Sequence, residues 1–126
     1  MLDVNMRAPY ILTKFMLDFL IESKGCVINI SSDKGSKAEP GLIGYCMSKA
    51  GLEMLTKSSA IELAPFGIRV NAVAPSFMDT NLYRNTGMSE PEIDALKLRA
   101  TGNNPMARTS QVTEVAKSVI FLSSEQ

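Results

Sequence analysis

The sequence predicts an α/β fold in which helices cover a parallel β-sheet, and two observations carry that prediction. Residues 26–30 and 68–74 are short β-branched runs without polar alternation, which is typical of strands buried on both faces. Segments with the apolar periodicity of helices lie before, between and after them. Because strands that alternate with helices form crossovers over a parallel sheet, we expect a partial, doubly wound sheet of two strands and about four helices.

The first half of the chain supplies a helix, a strand and a loop. Apolar side chains recur on one helical face over residues 7–22, and Gly25 is expected to end that helix. CVINI at 26–30 forms the first strand. Residues 34–44 hold three glycines and a proline, which indicates a loop.

A second helix and a second strand follow. The helix is predicted over residues 45–63 and is stopped by Pro65 and Gly67. IRVNAVA at 68–74 is the second buried strand, and Pro75 ends it.

A long polar excursion over residues 77–110 separates the second strand from a last helix, which begins near Ser110. The excursion is expected to hold a small helix of its own. Ser89 and Glu92 form a capping-box pattern at its start, and Gly102 lies where it should finish.

Two parallel strands do not form a stable sheet alone, because each strand needs neighbours and both faces must be covered. The two apolar runs have the composition of central strands. We therefore expect either a fragment of a larger α/β domain or a chain that completes its core with another polypeptide.

The amino-acid composition limits the kinds of molecule that the chain is expected to bind. The 13 basic and 13 acidic residues balance without a run of like charge, so neither nucleic acid nor an anionic membrane is an expected partner. No apolar stretch is long enough to span a bilayer, and no signal peptide is visible. With no histidine and two cysteines, we expect no metal site, reduced thiols and a cytoplasmic location.

The segment ISSDKGSKAEPGLIGYCMSK at 30–49 carries the chemistry. Tyr45 and Lys49 are four residues apart, so on a helix they lie one above the other. An ammonium about 5 Å from a phenol, at an effective dielectric of about 20, favours the phenolate by about 3 kcal/mol. Such a phenol can exchange a proton as a general acid or base. Ser32, thirteen residues before Tyr45, could hold a substrate oxygen at the strand end.

The chain contains a second pair of this kind, Tyr10 and Lys14. It lies within a helix, with no strand before it and no serine at the matching distance, so we interpret it as a helix-surface pair. The context of Tyr45 differs, because a strand, a glycine-bearing loop and a helix start surround it.

Residues 26–53, CVINISSDKGSKAEPGLIGYCMSKAGLE, resemble the active-site segment of the short-chain dehydrogenase/reductase family. RVNAVAPSFMDT at 69–80 resembles the strand and turn beside the nicotinamide in that family, and residues 105–125 resemble the segment that runs into its last helix. The resemblance covers essentially the whole chain. It implies that residues 1–126 are a partial Rossmann-like domain, the second half without its last strand.

The resemblance also implies roles for four residues. Tyr45 would transfer a proton to or from the substrate oxygen, and Lys49 would assist its ionisation and bind the nicotinamide ribose. Ser32 would hold the substrate oxygen. Asn5 would anchor a water chain that links Lys49 to solvent; alone, it is more simply interpreted as a helix N-cap.

On the cofactor side, the resemblance implies that NAD or NADP is bound beside Pro75, Ser76, Met78 and Thr80, with the choice between the two unresolved. Residues 77–110 would be the substrate lid. Ser76 replaces the glycine of the family turn, so the backbone there is expected to approach the cofactor less closely. The family's Gly-x-x-x-Gly-x-Gly loop, which cradles the pyrophosphate, does not occur in these residues.

The resemblance implies the interconversion of a small-molecule alcohol and a carbonyl with NAD(P). Within that reaction class, it implies either an enzyme like the 3-oxoacyl-acyl-carrier-protein reductases or a generic alcohol and ketone enzyme. We expect the isolated chain to bind dinucleotide poorly and to be inactive. The alternative is a catalytically inactive, truncated family member that acts as an oligomerisation or interaction module. In either case the resemblance implies a homo-oligomer through helices 7–22 and 45–63, which are the most apolar segments of the chain.

Overall fold

The computed structural model describes residues 1–124 and has the α/β architecture that the sequence predicts. A π-helical turn, Asp3–Arg7, opens the chain, and 3₁₀ turns Asp33–Gly35 and Ala64–Phe66 follow the first strand and the third helix. In chain order the main elements are α1 (Ala8–Phe15), α2 (Leu17–Ser23), β1 (Cys26–Ile30), α3 (Ile43–Leu63), β2 (Arg69–Val73), α4 (Asn81–Asn85), α5 (Glu90–Gly102) and α6 (Val112–Ser123).

The described residues form six α-helices, more than the four or so expected. The helix predicted over residues 7–22 is divided at Met16, whose φ of −87° and ψ of 1° lie in the bridge region. The other addition is α4, where the Thr80 hydroxyl accepts a hydrogen bond from the Leu82 amide at 3.4 Å. Thr80 is therefore the N-cap of a helix that the polar composition of the excursion did not reveal.

Gly25 does not end the first helical segment in the way the sequence predicts. Helix α2 ends at Ser23, and Lys24 takes the left-handed conformation with a φ of 47°. A Cβ at Gly25 would lie 3.0 Å from Ser23 Oγ and 3.2 Å from Leu20 Cδ2. Glycine is favoured here by close packing rather than by its backbone angles.

The two strands pair in parallel, with Cys26 opposite Arg69 and Ile30 opposite Val73. The Ser31 amide donates to the Val73 oxygen at 2.8 Å, which extends the ladder by one residue. Helix α3 connects the strands and packs against β2. Because the strands run in the same direction, their carboxyl ends meet at one edge of the sheet.

The core lies where the end of α3 meets β2. Leu63, Ile68 and Val70 are buried there, and four partly buried side chains surround them: Leu17, Leu20, Val27 and Ala60. By contrast Ile30, at the end of β1, is 45 % exposed. The apolar core is thus built on part of the sheet, and large apolar side chains on α1, α2 and α3 remain in contact with solvent.

The ends of the last two helices are fixed by side chains. The predicted capping box at α5 is confirmed, because the Ser89 amide donates to Glu92 Oε2 at 2.8 Å. A second capping box opens α6, where the Gln111 amide donates to Glu114 Oε2 at 2.8 Å. Within residues 1–124, none of the helices combines the length and apolar character that crossing a membrane requires.

Candidate active site

Tyr45 and Lys49 meet at the carboxyl end of β1. Lys49 Nζ donates a hydrogen bond of 2.8 Å to the main-chain oxygen of Ile30, the last residue of the strand. The same ammonium lies 5.7 Å from the centroid of the Tyr45 ring. Both side chains are half-buried on α3. The spacing of four residues therefore places phenol and ammonium together at the strand end, the edge where parallel sheets bind ligands.

The Lys49 ammonium is held in a partly desolvated position. Burial lowers the pKa of Lys49 below its usual value. Among residues 1–124, none of the carboxylates forms an ion pair with Lys49. Its charge is thus available to a neighbouring anion, such as an ionised phenol.

Ser32 lies at the same end of β1, and its hydroxyl is engaged locally. It is 7 % exposed. Its Oγ accepts from the Lys34 amide at 3.2 Å and donates to Asp33 Oδ1 at 3.3 Å. Ser32 therefore caps the 3₁₀ turn after the strand, and a substrate oxygen would compete with the Asp33 carboxylate for its proton.

Asn5 reaches helix α3 from the π-helical turn at the start of the chain. Its Nδ2 donates to Ser48 Oγ at 3.1 Å, and Ser48 Oγ donates to the main-chain oxygen of Tyr45 at 2.7 Å. Ser48 is completely buried. The sequence interpretation passed over Ser48, for which the only signal is its position between Tyr45 and Lys49 in YCMSK.

The residues expected on the cofactor side follow β2. The Pro75 oxygen accepts from the Asp33 amide at 3.0 Å, which joins the segment after β2 to the turn after β1. Ser76 and Met78 are half-buried beyond it. Thr80 lies at the end of this segment, with its hydroxyl turned to the start of α4.

Tyr83 in α4 is a neighbour of the site that sequence reasoning missed. Its ring stacks on Phe77, with centroids 4.9 Å apart and planes 19° from parallel. Burial raises the pKa of Tyr83, and the nearby Tyr45 and Asp33 raise it further. No spacing signal connects Tyr83 to Tyr45, because the excursion brings them together only in the folded chain.

The second tyrosine–lysine pair lies elsewhere. Tyr10 and Lys14 are on α1, where both are exposed and Tyr10 keeps 53 % of its surface in solvent. No hydrogen bond of the Tyr10 hydroxyl or the Lys14 ammonium is found within the described part of the chain. Lys49 contacts the end of a strand, and within the described residues Lys14 makes no such contact.

Comparison with known proteins gives consistent results. A sequence model of the family described as enoyl-(acyl carrier protein) reductase matches residues 1–126. The chain is 38 % identical over 125 residues to the 3-oxoacyl-[acyl-carrier-protein] reductase FabG of Haemophilus influenzae, covering 98 % of this chain and 49 % of that protein. It is 34 % identical over 125 residues to the L-fucose dehydrogenase of Bos taurus, covering 99 % of this chain and 46 % of the relative.

Solved structures agree. A short-chain dehydrogenase/reductase of unknown function from Caenorhabditis elegans, determined with cofactor, superposes with a TM-score of 0.88 at 32 % identity, over 97 % of this chain and 46 % of that one. A gluconate 5-dehydrogenase from Burkholderia cenocepacia, in complex with NADP and tartrate, has a TM-score of 0.84 at 28 % identity, over 96 % and 46 % of the two chains.

The chain spans about half the length of the curated relatives it matches. Within that span, the family model matches residues 1–126 and the Caenorhabditis elegans structure superposes over 97 % of this chain. The chain therefore belongs to the short-chain dehydrogenase/reductase family.

Proposed function

We propose that this chain carries the proton-transfer site of an NAD(P)-dependent oxidoreductase that interconverts an alcohol and a carbonyl. The observation that carries the proposal is the position of the Lys49 ammonium, 2.8 Å from the Ile30 oxygen and 5.7 Å from the Tyr45 ring centroid. A phenol beside a partly buried ammonium that forms no ion pair within residues 1–124 is suited to exchanging a proton with a substrate oxygen. The names of the reductase and dehydrogenase relatives support the same reaction class.

In this proposal each residue has one task. The Tyr45 hydroxyl gives a proton to the carbonyl oxygen during reduction, or takes it from the alcohol during oxidation. Lys49 stabilises the phenolate that remains, by its charge. Ser32 releases its 3.3 Å contact with Asp33 and donates to the substrate oxygen instead. Asn5, whose amide faces Ser48, supports the water chain from Lys49 to solvent.

The residues after β2 fit one side of a nicotinamide dinucleotide. Lys49 offers a donor for a ribose hydroxyl, and the backbone from Pro75 to Met78, with Thr80, would line the nicotinamide and pyrophosphate. Bound there, the dinucleotide supplies or accepts the hydride. A similar xylitol dehydrogenase was solved with NAD⁺ bound and the gluconate 5-dehydrogenase with NADP, so the proposal leaves the choice between them open. The remainder of the dinucleotide site would come from sequence outside the match.

The excursion over residues 77–110 is proposed as the substrate lid of a single partial domain, residues 1–126. Support comes from the stack of Phe77 on Tyr83, whose phenol is influenced by Tyr45. Substrates resembling 3-oxoacyl thioesters are proposed from the reductase relatives. The two free cysteines fit the reducing conditions of the cytoplasm.

A hybrid enzyme tests the proposed function. Residues 1–126 replace the matching segment of the Haemophilus influenzae reductase, to which they are 38 % identical. The hybrid should oxidise NADPH or NADH with a 3-oxoacyl thioester. Tyr45→Phe should abolish turnover and leave dinucleotide affinity nearly unchanged. Tyr10→Phe, in the second tyrosine–lysine pair, is the matched control and should retain full turnover. A folded hybrid without turnover, or an active Tyr45→Phe variant, would contradict the proposal.

The chain alone is proposed to bind dinucleotide weakly, because it contains no glycine-rich pyrophosphate loop. Calorimetry with NADH and NADPH gives the dissociation constants directly. Micromolar affinity of the 126-residue chain for either dinucleotide would show that this part of the proposal is wrong.

A homo-oligomer is proposed through the helices at 7–22 and 45–63. Large apolar side chains on these segments are exposed, including Phe15 and Ile61 at 78 % each and Phe19 at 64 %. A second copy would cover them, and in a chain without turnover this association would be the function that remains. Sedimentation should show a dimer that Phe15→Lys dissociates, whereas Leu98→Lys, on the exposed surface of α5, should leave it intact. A monomeric chain would contradict the proposal.

A further inference from the structure

Ser48 links the helix that carries Tyr45 and Lys49 to the turn that carries Asn5. Its hydroxyl donates to the Tyr45 main-chain oxygen at 2.7 Å and accepts from Asn5 Nδ2 at 3.1 Å. The side chain has 0 % exposure, so water does not replace either partner. Both hydrogen bonds are therefore made in a dry environment, where losing a partner leaves a polar group unsatisfied.

The start of α3 needs such a link. Leu42 is its N-cap and makes no side-chain capping hydrogen bond, and the only link of its amide in the described residues is to the Glu39 oxygen of the preceding turn, at 3.1 Å. A helix start without a cap leaves backbone amides unpaired and tends to fray. Tyr45 is the third residue of this helix, so fraying would move the phenol relative to the end of β1.

Resting on the function proposed above, we infer that Ser48 is a positioning residue for the proton-transfer site. Its hydroxyl fixes the first turn of α3 against the π-helical turn that carries Asn5, which holds the Lys49 ammonium at the Ile30 oxygen and the Tyr45 ring beside that ammonium. Ser48 touches neither substrate nor cofactor in this account. It acts through the backbone of Tyr45 and the side-chain amide of Asn5.

The same helix offers a matched control two turns further along. Thr56 is 6 % exposed, and its hydroxyl donates to the Leu52 oxygen at 2.8 Å. It accepts from Asn29 Nδ2, also at 2.8 Å. Thr56 and Ser48 thus have the same kind of partners: one helix carbonyl and one asparagine amide from a neighbouring element. Only Ser48 is bonded to the turn that carries Tyr45.

The first test compares Ser48→Ala with Thr56→Ala in the 126-residue chain. Both should lower the denaturant midpoint, because each leaves a half-buried asparagine amide without its acceptor. Only Ser48→Ala should change the ¹³C NMR titration of the Lys49 side chain. A loosened first turn admits water, so the pKa of Lys49 should rise toward its usual value, from which burial lowers it. Lys49→Arg identifies the resonance.

The second test measures turnover in the hybrid enzyme. Ser48→Ala should lower kcat on the order of 10- to 100-fold, as small displacements of reacting groups do, with the dinucleotide dissociation constant unchanged. Thr56→Ala should leave kcat as it is. Ser48→Thr, which keeps the hydroxyl, should recover part of the loss. Because the Asn5 and Ser48 side chains act together, Asn5→Ala with Ser48→Ala should cost no more than the worse single change.

The outcomes separate this inference from the proposed function. If the wild-type hybrid has no turnover or Tyr45 is dispensable, the proposed function fails, and the Lys49 titration still decides whether Ser48 positions that ammonium. If turnover requires Tyr45 but Ser48→Ala behaves like Thr56→Ala in both readouts, the inference is overturned alone. Should Ser48→Ala fail to fold, the Lys49 titration in Asn5→Ala gives the comparison instead, with Asn29→Ala as its control; turnover is not used there, because Asn5 has a proposed role of its own in the reaction.

Discussion

The Lys49 ammonium donates a hydrogen bond of 2.8 Å to the main-chain oxygen of Ile30, so helix α3 is joined to the last residue of strand β1. This contact fixes the ammonium 5.7 Å from the centroid of the Tyr45 ring, in a partly desolvated position. Its consequences for protonation can be measured without substrate or cofactor, and they lead to the first prediction.

Lys49 and Lys34 should titrate on opposite sides of an ordinary lysine. Burial lowers the pKa of Lys49, whereas the hydrogen bond from Lys34 to Glu39, at 2.8 Å, raises the pKa of Lys34. Because the unfolded chain binds the Lys49 proton more readily, the destabilisation from burying this ammonium is complete below its folded pKa. It disappears as the pH rises to the unfolded value. NMR of ¹³C-labelled lysine should show Lys49 losing its proton at a lower pH than Lys34. Coincident titrations would contradict this.

Glu114 should remain ionised into strongly acidic solution. Its hydrogen bonds with the Arg108 guanidinium, and then with the Gln111 amide, lower the pKa of its carboxyl to about 2. The stabilisation from this carboxylate is therefore present above its ordinary value and is lost as the pH falls toward about 2. Carboxyl NMR should give that midpoint, and Arg108→Gln should raise it. Arg84→Gln, in the excursion, is the control and should leave Glu114 unchanged.

The sequence predicted the strands well, because their signals are local. The run at 26–30 is bounded by Gly25 and by polar residues, and it is a strand over the same five residues. Helix α3 begins at Ile43, two residues before its predicted start. The break at Met16 has no such signal. No proline or glycine lies near it in the chain, so the division of that helix depends on packing.

The residues of the candidate site also differ in whether a local sequence signal reveals them. Tyr45 and Lys49 could be predicted as neighbours, because four residues on a helix fix their relation. Ser48 could not be recognised, because its role depends on Asn5, which lies 43 residues earlier in the chain. Tyr83 was missed for a similar reason. Its stack with Phe77 and its approach to Tyr45 arise from the path of the excursion rather than from any spacing in it.

Arg99→Ala should loosen the excursion while barely changing stability. Arg99 donates to Glu39 at 3.0 Å, so the exposed face of α5 is tied to the loop between β1 and α3. Exposed ion pairs contribute about 1 kcal/mol or less to the free energy of unfolding. Limited proteolysis within residues 77–110 should nevertheless be faster in Arg99→Ala, because the Arg99–Glu39 ion pair joins two segments that are distant in the chain. Arg7→Ala removes the exposed pair with Asp3 and is the control. Equal proteolysis of both variants would show that this tie does not restrain the excursion.

Gly35→Ala should destabilise the loop beside the site because of a steric clash. A Cβ at Gly35 would overlap Glu53 Oε1, lie 2.8 Å from Glu53 Cδ and meet the Lys49 main-chain carbon at 3.2 Å. The Glu53 side chain resists displacement, because it accepts from the buried Ser31 hydroxyl at 3.2 Å. We expect a loss of about 1–3 kcal/mol in the free energy of unfolding.

Two further variants identify the cause of that loss. Gly44→Ala is the control: nothing lies within 4 Å of its added Cβ, and the residue is in α3, so it should stabilise by up to about 1 kcal/mol. Glu53→Ala should recover part of the Gly35→Ala loss, because it removes the side chain in the way, while the contact with the Lys49 backbone remains. Urea unfolding of the wild-type chain, of Gly35→Ala, of Glu53→Ala and of the double variant gives the coupling energy between positions 35 and 53. If the two changes were simply additive, the Glu53 carboxylate would not be what excludes a side chain at position 35.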